Sequence, residues 1–267
     1  MNYSIESIDL QSGFDKNNRP EKISNLQLKM GNVYAIVGET GSGKSQLLED
    51  IQSLNQGEGV SRRTLLINGE EPHPDLFKQR RSQWIAHLSQ NMRFVLDMTV
   101  SEFLKNRSQS TDDILNVANT LTGEPIFKEN LLTKLSGGQS RALMIADVAF
   151  NSTAPIILID EIENAGIKKI NALELLMKQN KIILLITHDP LLALYAHQRI
   201  VMKNGGMDKL VTPSAHEGDL LKRLIRLEGE IQTYRDAIRE GHWPHSVRER
   251  SIYSEIPSLL EQCVSFK

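Results

Sequence analysis

The chain of 267 residues contains one cysteine, Cys263, so no internal disulfide can form and the expected setting is a reducing one. A chain of this length can bury a core large enough to do without disulfides or a structural metal. It also lacks an excess of either charge. There are 31 Lys and Arg against 33 Asp and Glu, a formal net charge of −2, which argues against a protein built to coat nucleic acid, and nucleic acid is not an expected partner. Long hydrophobic runs are missing as well. The densest, Ile156–Ile159 and Ile182–Ile186, fall far below the roughly 18 residues that cross a bilayer as a helix. No basic stretch followed by an apolar one opens the chain. The expected location is cytoplasmic, and work at a membrane would need another subunit to hold the chain against its inner face. A metal cluster is not read either: His242 and His245 flank Trp243-Pro244 without Cys or carboxylate partners.

What is present is a regular alternation of strands and helices. Tyr3–Leu10 and Leu26–Met30 alternate apolar and polar residues and read as two short antiparallel strands. Val33–Val37 is a compact apolar run, followed after a Gly-rich turn by Leu47, Leu48, Ile51 and Leu54 at helical spacing. Strands are expected at Leu65–Ile67 and Trp84–Leu88, then helices at Thr99–Lys105 and Thr111–Leu121 within a small helical insert spanning about 91–135. A helix over Gln139–Phe150, the strand Ile156–Ile159, a helix over Ile167–Met177 and the strand Ile182–Ile186 follow. Continuous apolar strands in a β-α-β-α order imply an α/β fold whose parallel sheet is covered on both faces. Arg199–Met202 and Lys209–Val211 flank Gly205-Gly206 and read as a closing hairpin. Beyond Glu217, the residues Leu220, Leu224, Leu227, Ile231, Tyr234 and Ile238 step by four and three, the seam of a long amphipathic helix that Gly241 and Pro244 stop.

The chemistry begins at Gly38-Glu39-Thr40-Gly41-Ser42-Gly43-Lys44-Ser45, which fits Gly-x-x-x-x-Gly-Lys-Ser between an apolar strand and a helix. Glycines there let the backbone wrap so that its N–H groups point at phosphate oxygens, and the helix N-terminus adds partial positive charge. Lys44 is expected on the β and γ phosphates and the Ser45 hydroxyl on magnesium, with Gln46 next to it. The loop by itself points to a nucleoside triphosphate, and the sequence has no Asn-Lys-x-Asp string for reading guanine, which argues against a GTPase. A second Gly-rich string, Leu135-Ser136-Gly137-Gly138-Gln139, precedes another expected helix. It forms an anion seat without a lysine, useful when a second protein surface closes on the same γ-phosphate. Ile156–Ile159 ends in the adjacent carboxylates Asp160-Glu161.

These strings together resemble the nucleotide-binding domain of the ABC superfamily. Leu135–Gln139 resembles its signature and Ile156–Glu161 its Walker B strand. The resemblance covers about residues 1–212 and implies a P-loop NTPase with a RecA-like core, an antiparallel β subdomain and a small helical subdomain, leaving 213–267 as a C-terminal helical extension. It further implies that Asp160 supports magnesium, that Glu161 orients or polarises the attacking water, that Gln90 is the Q-loop residue tied to the magnesium site, and that His188 is the switch histidine facing the γ-phosphate. Phe14 stands where the family stacks an aromatic ring on adenine, with Tyr3 as competitor. Two copies are expected to enclose two ATP molecules, each between one copy's Lys44 loop and the other's Ser136 loop.

Departures are visible too. After Asp160-Glu161 the family continues with Pro and a Ser-Ala-Leu-Asp loop, whereas this chain reads Ile162-Glu163-Asn164-Ala165-Gly166-Ile167, and Gln46 stands where Thr is usual. Nothing large separates Lys44 from Ser136, unlike repair and maintenance ATPases with a long coiled coil there, so the expected role is the ATPase subunit of a transporter with a separate transmembrane partner. The altered loop and the added C-terminal helix point instead to a soluble ATPase acting on another enzyme or a nucleoprotein.

Overall fold

The computed structural model describes residues 5–74, 76, 83–89, 92–107, 110–165 and 167–241, which fall into two compact units, 1–213 and 214–267. In the first unit, β1 (Ser7–Gln11) lies between β2 (Asn25–Lys29) and β4 (Thr64–Ile67) in an antiparallel sheet. A second sheet has the order β5-β6-β7-β3-β8-β9, formed by β5 (Ile85–Leu88), β6 (Ile156–Asp160), β7 (Ile182–Ile186), β3 (Val33–Val37), β8 (Gln198–Lys203) and β9 (Gly206–Val211). Its strands run parallel except β9, which returns antiparallel to β8.

The two-residue period of a strand explains why the central strands are apolar throughout. Tyr34 and Ile36 of β3, Ile156 and Leu158 of β6, and Ile182, Leu184 and Ile186 of β7 pack on one side with Leu47, Leu48 and Ile51 of α1 (Lys44–Gln52). The residues between them, Val33, Ala35, Ile157, Ile159, Ile183 and Leu185, pack on the opposite side, against residues of other helices that include Ala142, Ile145, Leu173 and Leu192. Each face of the sheet is thus a core.

The insert is built from α2 (Val100–Lys105) and α3 (Thr111–Leu121), with Thr99 and Glu102 forming a reciprocal cap at the start of α2. Val100, Leu104, Ile114 and Ala118 bury their side chains against Leu143 and Ala146 of α4 (Gly137–Asn151). One helix therefore serves two cores, and it carries the Gly-rich string at its N-terminus.

The parallel core covered on both faces agrees with the sequence reading, while several boundaries move. The helix expected from Ile167 begins later, as α5 (Lys169–Met177), because Ile167 bridges to Thr122 and the Lys168 N–H donates to the Leu121 carbonyl. A six-residue helix, α6 (Pro190–Tyr195), had not been expected, although Asp189-Pro190 is its signal: the Asp189 carboxylate caps Leu191 and Leu192, and proline sits in the first turn. In the second unit, α7 (Ala215–Arg239) starts at a reciprocal Ser214–Glu217 cap. None of its residues is buried, and Ile231 and Ile238 of its apolar seam are exposed. Tyr3, Gln90, Gly166, His242–His245 and Cys263 lie outside the described residues.

Candidate functional site

β3 feeds directly into the loop Gly38–Gly43, and α1 begins at Lys44. Gly43 has φ +100°, and a Cβ there would stand 2.8 Å from the Gly205 Cα, so a side chain is excluded both by conformation and by the hairpin turn against it. The Gly205 N–H donates to the Ser42 carbonyl at 2.8 Å, fastening turn to loop. No side chain caps α1, so its first-turn N–H groups remain available to an anion. Lys44 is buried, its Nζ donating to the Gly38 and Glu39 carbonyls at 2.8 and 3.0 Å. Ser42 Oγ is buried without a hydrogen-bond partner among the described residues. Glu39, Thr40 and Gly41 form the exposed rim of the loop. The Gln46 side chain turns along the helix to Asp50 Oδ1 at 3.2 Å.

Ser45 is exposed and lines a cleft of about 270 Å³ with Asp160, His87, Gln52 and Ile186. Strand pairing sets this juxtaposition: Leu158, two residues before Asp160, is opposite His87, and Asp160 is opposite Ile186. Burial pushes the Asp160 carboxyl above its ordinary range, the Glu161 and Glu163 carboxylates add to the push, and His87 and Lys44 oppose it. Glu161 has φ +49°, an uncommon conformation for a branchless carboxylate side chain, and its N–H donates to the Ile186 carbonyl. This turns Glu161 off the strand, with Oε1 3.8 Å from His188 Nε2. Arg141 of α4 reaches the Glu161 carbonyl at 3.4 Å, linking the Gly-rich helix to the end of β6.

At the other sequence-predicted positions, Phe14 is partly buried, bridges to Pro20, and has the Arg62 guanidinium 5.3 Å from its ring centroid. Lys16 reaches the Gly41 carbonyl with its Nζ at 2.7 Å, which brings the Phe14 segment to the phosphate loop. Ser136 caps α4, its Oγ accepting from the Gln139 N–H while Gln139 Oε1 accepts from the Ser136 N–H. The Gln139 amide also donates to the Pro125 carbonyl. Ser136 and Gly137 are exposed, and a Cβ on Gly137 would meet nothing within 4 Å. This helix start is therefore open to a partner surface.

Sequence reasoning missed the residues that brace this arrangement. Arg63 is fully buried and donates to Glu21 at 2.6 Å, to Asp50 Oδ2 at 2.6 Å and to the Gly205 carbonyl at 3.0 Å. Glu21 in turn accepts from the Gly13 and Met207 N–H groups. One guanidinium thus ties α1, β4, the segment around Phe14 and the β8–β9 turn together. The string Ser61-Arg62-Arg63-Thr64-Leu65 is polar up to Leu65 and gives no local sign that Arg63 is buried.

The donor set fits a nucleoside polyphosphate with a divalent cation. A helix N-terminus, a buried lysine and an orphaned buried hydroxyl at Ser42 suit phosphate oxygens, and a cation beside Ser45 and Asp160 would relieve the crowding of three carboxylates. Fold and loop together define a P-loop nucleotide-binding cassette. The chain belongs to the ABC transporter family, whose description matches residues 22–164. It is 47% identical over 245 residues to an uncharacterized ABC transporter ATP-binding protein of Methanocaldococcus jannaschii, covering 89% of this chain and 94% of that one. It is 30% identical over 207 residues to the energy-coupling factor transporter ATP-binding protein EcfA2 of Staphylococcus aureus, covering 71% of each. Among solved structures it resembles a dimeric ATP-binding cassette in a post-hydrolysis state bound to ADP and Pi, with a TM-score of 0.56, 20% identity, and coverage of 78% of this chain and 99% of that one. An ATP-binding subunit of an ABC transporter gives a TM-score of 0.58 at 19% identity, covering 78% and 90%.

Proposed function

We propose that this chain binds and hydrolyses ATP with magnesium as the nucleotide-binding subunit of a transporter whose membrane-crossing part is a separate protein. The observation that carries the reading is the convergence at one end of the parallel sheet of the Lys44 loop, the Ser45–Asp160 cleft and the Glu161–His188 pair. In this reading the backbone of Gly38–Lys44 and the Lys44 ammonium hold the triphosphate, Phe14 meets the adenine, and Ser45 and Asp160 hold magnesium. By the family resemblance Gln90, which lies outside the described residues, is the Q-loop residue tied to the magnesium site. Magnesium supplies charge neutralisation at the phosphates. Glu161 takes the proton of the attacking water, and His188 donates to the γ-phosphate as charge develops there.

Ser136, Gly137, Gly138 and Gln139 of a second copy close the pocket, a reading supported by the exposure of Ser136 and Gly137 at the helix start. No helix among the described residues is long and apolar enough to cross a membrane, so coupling to transport falls to the partner, with the chain on the cytoplasmic face. The names of the relatives support transport over remodelling of a soluble partner.

The test is hydrolysis by the purified chain with ATP and magnesium. Lys44→Ala is expected to lose tight ATP binding. Glu161→Gln is expected to keep binding while turnover falls about 10²- to 10⁴-fold. Unchanged ATP affinity in the first or near-parental turnover in the second would refute these assignments. Isolation from native membranes with a bound membrane protein supports the transporter role, and recovery with soluble partners only would count against it.

A further inference from the structure

The loop that departs most from the family pattern carries an additional carboxylate, Glu163. It lies on the short 3-10 turn Ile162–Ala165, which Ile162 anchors by burying its side chain in the core behind the sheet. From there Glu163 Oε1 accepts two hydrogen bonds, from Thr187 Oγ1 at 2.9 Å and from the His188 N–H at 2.8 Å. Its other oxygen, Oε2, is buried with no hydrogen-bond partner among the described residues. Concentrating both donors on one oxygen and burying the second is costly for a carboxylate. Stability alone therefore gives no reason for the residue, and such exceptions call for an explanation in function.

The contacts continue past His188. Thr187 is buried, and its Oγ1 accepts from the Asp189 N–H at 2.9 Å. Asp189 caps α6 and pairs with Lys169 of α5 at 2.5 Å. The segment bearing His188 is thus held from both sides, by Asp189 through a helix cap and by Glu163 through the turn. The backbone bond from Glu161 to Ile186 adds a second tie between the same two strand ends. The His188 ring, by contrast, is about half exposed, with a side-chain accessibility of 48%. Its aim at the reacting phosphoryl group depends on where its main chain is pinned.

We propose that Glu163 is a positioning residue for hydrolysis, fixing the main chain of His188 to the turn after Asp160-Glu161 so that the imidazole and the Glu161 carboxylate are presented together. The inference rests on the ATPase reading above. It assigns to Glu163 the link between the loop after the carboxylates and the switch histidine, in a chain where the usual Ser-Ala-Leu-Asp loop is replaced.

The test measures steady-state ATP hydrolysis, ATP affinity and melting temperature for the full chain and for Glu163→Ala, Glu163→Ser, Glu163→Gln, His188→Ala and the Glu163→Ala/His188→Ala pair. Loss of an outer-shell residue that orients a metal ligand typically costs about 10- to 100-fold, and the same scale is taken for a residue that orients His188. That fall in kcat is expected for Ala, and for Ser, which is too short to reach His188, with the KM for ATP near the parent's. Gln keeps an acceptor for both donors and is expected to retain most of the rate. The pair is expected to be no slower than His188→Ala alone, to within about twofold. Losses that multiply in the pair, a Gln variant as slow as Ala, or a rise in KM at constant kcat would overturn the proposal. If Ala does not fold, Ser against Gln and the same pairing with His188→Ala decide. A parent chain that hydrolyses no ATP overturns the ATPase reading itself, whereas an active parent with multiplying losses overturns only the role of Glu163.

Discussion

Replacing Arg63 with Met exposes how the nucleotide loop is held. The guanidinium has 0% side-chain exposure, as has Glu21, and Asp50 has 2%. Methionine fills most of the volume but removes the charge, leaving two carboxylates in a dry interior. Glu21 keeps the Gly13 and Met207 N–H donors, and Asp50 keeps Asn55, Ser61 and Gln46. Neither retains a cation in this cluster. Breaking a buried pair from one side costs about 3–5 kcal/mol, a large part of the roughly 5–15 kcal/mol that holds a domain together. For a unit of this size, at about 2–4 °C per kcal/mol, the melting temperature should fall by about 6–20 °C. ATP affinity should fall too, because Arg63 holds the Gly205 carbonyl while the Gly205 N–H holds the phosphate loop. Calorimetry without nucleotide reads the first effect and nucleotide titration at a temperature where the variant is folded reads the second. Adding Glu21→Gln and Asp50→Asn should recover most of the lost stability, since the carboxylates are then neutral. A single Arg63→Met that melts with the parent, or a triple variant that melts lower than the single, refutes the reasoning.

Three further outcomes follow from named contacts. Phe14→Ala should weaken ATP by about 0.5–1.5 kcal/mol while leaving inorganic tripolyphosphate binding unchanged, and equal losses for both ligands would remove Phe14 from the base site. Burial and the Glu174 carboxylate, which accepts from the Tyr195 hydroxyl at 2.7 Å, raise the Tyr195 pKa from 10.0 to about 12. The neutral phenol is the form the fold favours, so its contribution is complete below pH 10 and is lost as pH rises from 10 towards 12; phenolate absorbance should show one late-titrating tyrosine that Tyr195→Phe removes. Leu184→Ala, at a fully buried position in the central strand, should cost about 2–5 kcal/mol of unfolding free energy, read by denaturant titration, and a cost below 1 kcal/mol would contradict the packing described.

The parallel core was legible because its strands are apolar on both faces, as at Ile182–Ile186, and because each stands beside a turn rich in glycine or acid. The phosphate loop could be read for a related reason: backbone conformation at a close approach restricts which residues can stand there, as at Gly43. The Ser136 helix start is not crowded in that way and was read from its string alone. What bound the pieces together could not be read. Arg63, Glu21 and Asp50 are 42 and 13 positions apart in sequence, and only the folded chain makes them neighbours. Glu163 was visible only as a departure from a familiar string, because its partners Thr187 and His188 come from the next strand. The start of α5 was misplaced for the same reason, since Ile167 and Lys168 are drawn off the helix by bonds to Thr122 and Leu121.

The central claim is that each pocket is completed by the Ser136 helix of a second copy. Light scattering on Glu161→Gln with ATP and magnesium tests it most directly. The expected mass is twice the 30.1 kDa of one chain, falling to a single chain with ADP and failing to double when Ser136→Arg is added. A Glu161→Gln protein that binds ATP yet keeps the mass of one chain, or a doubling that Ser136→Arg leaves intact, would contradict it.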